Sequence, residues 1–326
     1  MATYKGIKGF TLQNLASDPT VNEGQVWYNS ASGAFRLAAT TATGSWATGG
    51  SLNTAKGNIV GAGTQTAAVG FAGYGGPTGQ SNTTEKYDGL SWTNGNNMNT
   101  GSYGGTGAGL QTAALAFFGV GRGTQTEEYD GTNWTIGGSL AAARNGPGGA
   151  GTQTAAVAVG GGPTPFTRVE EYNGTSWTAA TAYPISVGGG PKVVGLQTAA
   201  LAFSGENDGT PGKSVIANDY DGTNWTTAGS RSVAVSLASG FGIQTSALAV
   251  GGQQAVAPPG VSSSELYNGT SWSTETNYPA ALWNLAGAGT TSAGMSWGGQ
   301  APPTGSTNNF EWTGAGADVT KTITTS

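Results

Sequence analysis

The stretch GTQTAAVAV, residues 151–159, returns along the chain as GTQTAAVGF (63–71), GLQTAALAF (109–117 and 195–203) and GIQTSALAV (242–250), with a degraded sixth version, GTTSAGMSW, at 289–297. Self-similarity at a near-constant period marks an architecture of stacked units. A second element follows each of the first five copies: TEKYDGLSWT, TEEYDGTNWT, VEEYNGTSWT, ANDYDGTNWT and SELYNGTSWS. It sets the pairs Tyr87/Trp92, Tyr129/Trp134, Tyr172/Trp177, Tyr220/Trp225 and Tyr267/Trp272, whose tryptophans lie 42, 43, 48 and 47 residues apart. Counting back 46 residues from Trp92 reaches Trp46 in GSWATGG, a sixth copy displaced to the N-terminal side of the array. All six tryptophans are expected to serve one repeated structural role, packing between blades.

Units of this length with several short strands predict an all-β fold, a six-bladed β-propeller of four-stranded sheets around an axis. In the third unit the expected strand a is NGPGGAG (145–151), strand b is QTAAVAVGG (153–161), strand c ends at Tyr172 and strand d carries Trp177. Glycine and alanine dominate a and b because inner strands converge where backbones approach closely. The expected blades span about 51–93, 94–135, 136–178, 179–226, 227–273 and 274–326, so the propeller region covers 41–326. The last unit lacks its own strand d, and residues 41–50 with Trp46 are expected to supply it. Closure of that kind removes open sheet edges. The C-terminal ADVTKTITTS, rich in β-branched residues, is the competing donor.

Composition narrows the chemistry. With Cys 0 and His 0, thiolate catalysis, Ser-His nucleophiles and His-ligated zinc are excluded. A net charge of -5 and no basic stripe argue against nucleic acid. The N-terminus MATYKGIKGFTLQNLASDP shows no apolar leader, and no run approaches the roughly 18 apolar residues of a membrane-spanning helix. Gly 59 and Pro 13 among 326 residues are turn-dense, while 10 Trp, 11 Tyr and 9 Phe supply buried area that disordered chains lack.

The repeated acids Glu85, Glu127, Glu170 and Glu265 sit two residues before the blade tyrosine, and Glu128, Glu171 and Asp219 one before it. Paired carboxylates can hydrolyse glycosides. An active site breaks symmetry, however, and these positions follow it, so they are read as scaffold. The NGT and NWT sequons at Asn133, Asn173, Asn224 and Asn268 are read as turns, because Asn-Gly and Asp-Gly alternate at one position. A two-residue type I′ turn at Asn173-Gly174 would pair Glu170 with Trp177 and leave Tyr172 and Trp177 as diagonal neighbours. No catalytic residue, metal or cofactor is expected. Galactose-oxidase-type copper needs His and Cys, and a sialidase-type arginine triad would need three of only five arginines to converge.

Strand alternation places a-b and c-d turns on one face of the disc and b-c and d-a connections on the other. The first face is nearly invariant from blade to blade. The second varies, from GVGRGTQ to SGENDGTPGKSVIAN, and variable loops on a rigid scaffold are where recognition resides. Expected contacts there are Tyr74, Arg122, Phe166, Arg168, Tyr183, Glu206, Asp208, Lys213, Gln253, Tyr278 and Trp283.

The hydrophobic run and Gly-Gly doublet of AVAVGG (156–161) with Tyr172 and Trp177, and of ALAVGG (247–252) with Tyr267 and Trp272, resemble the kelch repeat. The doublet is lost in FSGE (203–206) and FGVG (118–121), and a basic residue at the start of strand a is present as Lys56 and Arg144 only. The resemblance implies the propeller and little about activity. The first 40 residues lie outside the array as an arm with the hairpin GQVWYNSASGAFRL (24–37), Gly33 at its turn. This arm resembles segments of bacteriophage tail and fibre proteins, and its opening is similar to virion structural proteins of marine phages. That resemblance implies a virion component assembled in the host cytoplasm, held to other virion proteins by the arm. It implies a variable face that meets a host-surface glycan or a further virion protein. A decoration protein without receptor binding and, less favoured, a glycan-processing enzyme are the alternatives. Oligomeric state stays open, a homo-oligomer included.

Overall fold

A computed structural model describes residues 13–17, 26–40, 43–75, 79–163, 165–207, 212–256, 259–301, 304–316 and 318–323. The chain divides into two compact units, Trp46–Thr313 and the remainder, Met1–Ser45 with Gly314–Ser326. The larger unit is a ring of six blades of antiparallel sheet. Five have strands in the order a-b-c-d along the chain, for example Thr106–Leu110, Ala113–Phe117, Thr126–Tyr129 and Trp134–Ile136 in blade two. Blade six takes its first three strands from Trp283–Gly289, Ala293–Ala301 and Asn309–Thr313, and its outer strand is Ser45–Thr48 from the other end of the sequence. The ring is closed by the N-terminal strand.

The competing C-terminal segment goes elsewhere. Asp318–Ile323 pairs antiparallel with Ala34–Thr40 in the smaller unit, so the sixth blade ends at Thr313 and not at 326 as expected. Ala34–Thr40 also pairs with Val26–Asn29 as the expected hairpin, Gly33 turning it at φ 66°.

Strand b explains how the blades stack. In AALAF (113–117) alternate residues face opposite sides of the sheet. Leu115 and Phe117 pack onto Ala156 and Ala158 of blade three, while Ala114 and Ala116 receive Val69 and Phe71 of blade one. Each gap is thus filled large against small, and the apolar core is distributed between blades. Three d-strand tryptophans reach back to the phenylalanine that ends strand b of the preceding blade, with ring centroids 4.8 Å apart for Trp134 and Phe71, 4.9 Å for Trp177 and Phe117, and 5.1 Å for Trp272 and Phe203. Trp92 meets Trp297 of blade six in the same manner, at 5.4 Å.

Trp225 departs from the single role expected of these tryptophans. Strand b of blade three ends in Val159, so Trp225 finds no ring there; it packs edge-on against Tyr183 of the d-a connection at 4.8 Å instead. Its indole differs too. Trp134 and Trp177 donate to the hydroxyls of Thr84 and Thr126 at the head of the preceding strand c, but blade three has Val169 at that place, and Trp225 Nε1 turns outward to Thr181 O at 3.1 Å. Trp225 is half-buried at the rim of its cluster, as Trp177 and Trp272 are in theirs, whereas Trp92 and Trp134 are buried. Two valines in blade three, one missing a ring and one missing a hydroxyl, account for the change of partners.

The Gln-Thr pair, expected to open strand b, lies in the a-b turn instead, because strand b begins at Ala156 in blade three. The glutamine there is a clamp. Gln153 Nε2 donates to Ala114 O at 3.1 Å and Tyr129 O at 2.7 Å, two carbonyls of the preceding blade. Gln65, Gln111, Gln197 and Gln244 repeat the contact on their preceding blades. Blade six has Thr291 at this place, too short for the span; Ser246 of blade five, an alanine in the other full copies, bonds it hydroxyl to hydroxyl at 2.7 Å.

The c-d hairpin differs from the two-residue turn expected. Tyr172 lies opposite Trp177 across a four-residue loop, ring centroids 5.0 Å apart. The Asn173 side-chain oxygen accepts from the amides of Thr175 and Ser176. An Asx side chain that substitutes for backbone in this way needs only one left-handed residue, and Gly174 supplies it at φ 89°. Asp88, Asp130 and Asp221 do the same, and those amide bonds hold their carboxylates below the usual range.

Candidate functional site

The symmetric acids are buried and engaged. Glu85 pairs with Lys56, Glu127 with Arg122, Glu170 with Arg144 and Glu265 with Arg231. Each carboxylate also accepts an amide of the incoming d-a connection: Asn53, Asn99 and Thr100, Ala141, and Ser232 in turn. Burial pushes the Arg122 guanidinium down to about 10, against the raising effect of Glu127. The neighbouring acids are used between blades, where Tyr172 donates to Glu128 at 2.5 Å and Tyr220 to Glu171 at 2.8 Å. Burial and then the Glu128 bond push the Tyr172 phenol up to about 12. Among the described residues no group of three or more carboxylates gathers to hold a metal.

The b-c loops and d-a connections do share one face, and short backbone bridges lace them together. Gly57 bridges Tyr74, Ser81 bridges Ser102, Tyr103 bridges Val120, Asn145 bridges Gly162, Ser214 bridges Val235 and Ser236 bridges Gln253. Each bridge joins a connection to a loop, so the variable surface stands on a fixed collar.

Of the contacts expected there, several are internal. Arg122 is buried and bonds Ser102, besides pairing with Glu127. Tyr183 is buried under Trp225 and accepts from Asn218, Tyr278 is buried and donates to Ser296 O, and Trp283 is buried at the start of its strand. These four fill the spaces under the connections because aromatic and guanidinium groups provide the bulk that Gly-rich strands lack. Asp208 lies outside the described residues. The accessible set is Tyr74, half exposed with its ring 5.5 Å from that of Tyr103, partly exposed Phe166, Arg168 and Gln253, and the surface pair Lys213 with Glu206 at 3.1 Å.

The second candidate was not anticipated. Strand a of all six blades lines a central channel with two compartments, one of about 120 Å³ toward the variable face and one of about 390 Å³ toward the a-b turns. Lys192 borders both, and it is the one titratable side chain among the lining residues. Burial alone pulls its ammonium down to about 8. At the outer end of the larger compartment Leu110, Leu196 and Ile243 stand half exposed around the opening. The signal was in the repeat: strand-b partners align Lys192 with Val60, Thr106, Gly148, Ser239 and Ala286, so blade four breaks the pattern there.

No family model matches the chain, and no curated protein matches it in sequence. Solved structures do match: one described as "Structure of YjhT" aligns with a TM-score of 0.65 at 13% identity, over 79% of this chain and 95% of that one. The likeness extends to the fold and, at that identity, no further.

Proposed function

We propose that the protein is a bacteriophage virion component, a tail-fibre or appendage module. In this reading its N-terminal arm joins other virion proteins, and its variable propeller face binds a host-surface glycan or another virion protein. The observation that carries the binding part is the laced collar, which presents loops of unlike length and chemistry on a fixed frame. The virion assignment rests on the likeness of residues 1–40 to phage tail and fibre segments, and the kelch-like repeat pattern is consistent with it. The buried acids are committed to ion pairs and connection amides, which leaves them no free carboxylate for acid-base chemistry and favours binding over hydrolysis.

Recognition would centre on Tyr74, Phe166, Arg168 and Gln253, which mix aromatic and polar groups as binding surfaces do. Replacing Phe166 and Arg168 together by alanine, and Tyr74 separately, is expected to lower adsorption of particles to host cells at least tenfold while the unfolding midpoint holds. Unchanged adsorption by both variants would remove this face from host recognition. Antibody labelling of intact particles tests the virion assignment independently.

A further inference from the structure

The larger channel compartment holds a cation that no described residue neutralises. The fully buried cations of the ring, Lys56, Arg122, Arg144 and Arg231, each have a glutamate partner. Lys192, partly exposed along the channel, has none among the described residues, and no carboxylate influences it. Its stem runs beside Gly240 of blade five, where a Cβ would lie 3.5 Å from Lys192 Cγ. The remaining lining from all blades is glycine, aliphatic side chains, Phe241, proline, threonine and asparagine, all neutral.

An unpaired ammonium facing a largely apolar channel loses part of its hydration, and the other five blades manage the same position with Val60, Thr106, Gly148, Ser239 and Ala286. A function that uses the charge explains its retention in the fold better than packing does. The geometry points to a binding site for a small carboxylate with an aliphatic body: the carboxylate meets Lys192 Nζ, and the chain runs outward past Val194 and Phe241 to the collar of Leu110, Leu196 and Ile243. Leu196 lies four residue steps along the strand from Lys192, a depth of about 13 Å at about 3.3 Å per residue. A group fixing orientation at the floor of an otherwise apolar cavity is the usual arrangement of small-molecule sites.

This site opens on the face opposite the variable loops, so it stands or falls separately from the host contacts above. The full-length protein would be titrated with decanoate, decanol, decylamine and acetate by calorimetry, beside Lys192→Met and Lys192→Val, the second reproducing the residue of blade one. Decanoate should bind saturably, at least tenfold more tightly than decanol, decylamine or acetate, and both variants should lose at least tenfold. Binding should hold steady from about pH 6 to 7 and weaken as pH rises past about 8, because the free ammonium loses its proton there and the bound anion favours the charged form; below about pH 5 it should weaken as the ligand's own carboxylate takes up a proton. The idea fails if decanol matches decanoate, if acetate alone matches it, if either folded variant binds as the parent does, or if no saturable binding occurs.

Discussion

The hydroxyls of the c-strand tyrosines show what one methylene and one charge decide. Tyr87, Tyr172 and Tyr220 each donate to a glutamate of the preceding blade, at 2.5 Å, 2.5 Å and 2.8 Å. The acid that faces Tyr267 is Asp219, one methylene shorter, and its Oδ1 is left without a partner while burial raises its pKa. Before Tyr129 the chain has Lys86 at the glutamate's place; that lysine turns to Gly131 O, and the Tyr129 hydroxyl has no partner. Two identical substitutions should therefore differ. Tyr172→Phe strands a half-buried carboxylate acceptor and is expected to cost about 1 kcal/mol, whereas Tyr129→Phe removes an unsatisfied hydroxyl and should be neutral or slightly stabilising. Urea midpoints measure both, and equal losses would show that these hydroxyls do not act as interblade bonds.

At the scale of elements, the periodic signal determined the number and order of strands but not their register or their turns. Asn-Gly satisfies a two-residue turn and an Asx-closed four-residue loop equally well, and only the amide contacts of Asn173 distinguish them. The choice moves Trp177 from a diagonal position to one directly across from Tyr172. The glutamine clamp was invisible for a related reason, since a glutamine counted into strand b has no evident reach to the preceding blade. Its partners are carbonyls 24 and 39 residues away, in the case of Gln153. Repetition also overstated uniformity: Trp225 matches the other tryptophans in sequence, yet its surroundings are set by Val159 and Val169 of the blade before, outside its own motif. Exposure was misread where bulk was taken for accessibility, since Tyr183 and Tyr278 in the variable connections and Trp283 at the start of its strand are all drawn inside. Lys192 was legible as a break in the repeat, but on an inner strand rather than in a variable loop. The clamp yields a pH-dependent test. Gln153→Ala should cost about 1–3 kcal/mol through the carbonyls it leaves unpaired. Gln153→Glu should cost more at neutral pH, with a carboxylate set against two carbonyl oxygens, and should recover as pH falls and the acid becomes a donor. A glutamate variant as stable at pH 7 as the alanine variant would contradict the clamp geometry.

For the whole molecule the decisive element is the strand that comes from the wrong end of the chain. Ser45–Thr48 supplies the outer edge of blade six, and Trp46 packs 4.9 Å from Tyr278 and 5.1 Å from Trp312, its indole donating to Thr276 O at 3.1 Å. Those contacts tie the start of the ring to its last blade, much as Trp225 is tied through Tyr183 and Thr181 to the connection entering its own blade. Among the described residues, none of those before Gly44 or after Gly314 contributes a strand to the ring, and the C-terminal strand pairs with Ala34–Thr40 instead. Two truncations then separate closure from attachment. A chain spanning residues 44–314 retains Trp46 and all six complete blades, and should unfold in one transition at the parental midpoint. A chain spanning residues 50–314 loses the closing strand, exposes the edge of Asn309–Thr313, and should lose about 3 kcal/mol or more while gaining a concentration-dependent tendency to associate through that edge. Equal midpoints for the two chains would mean that the ring holds without its N-terminal strand, and that interblade packing alone, the glutamines and tryptophans of the other five junctions, keeps it closed.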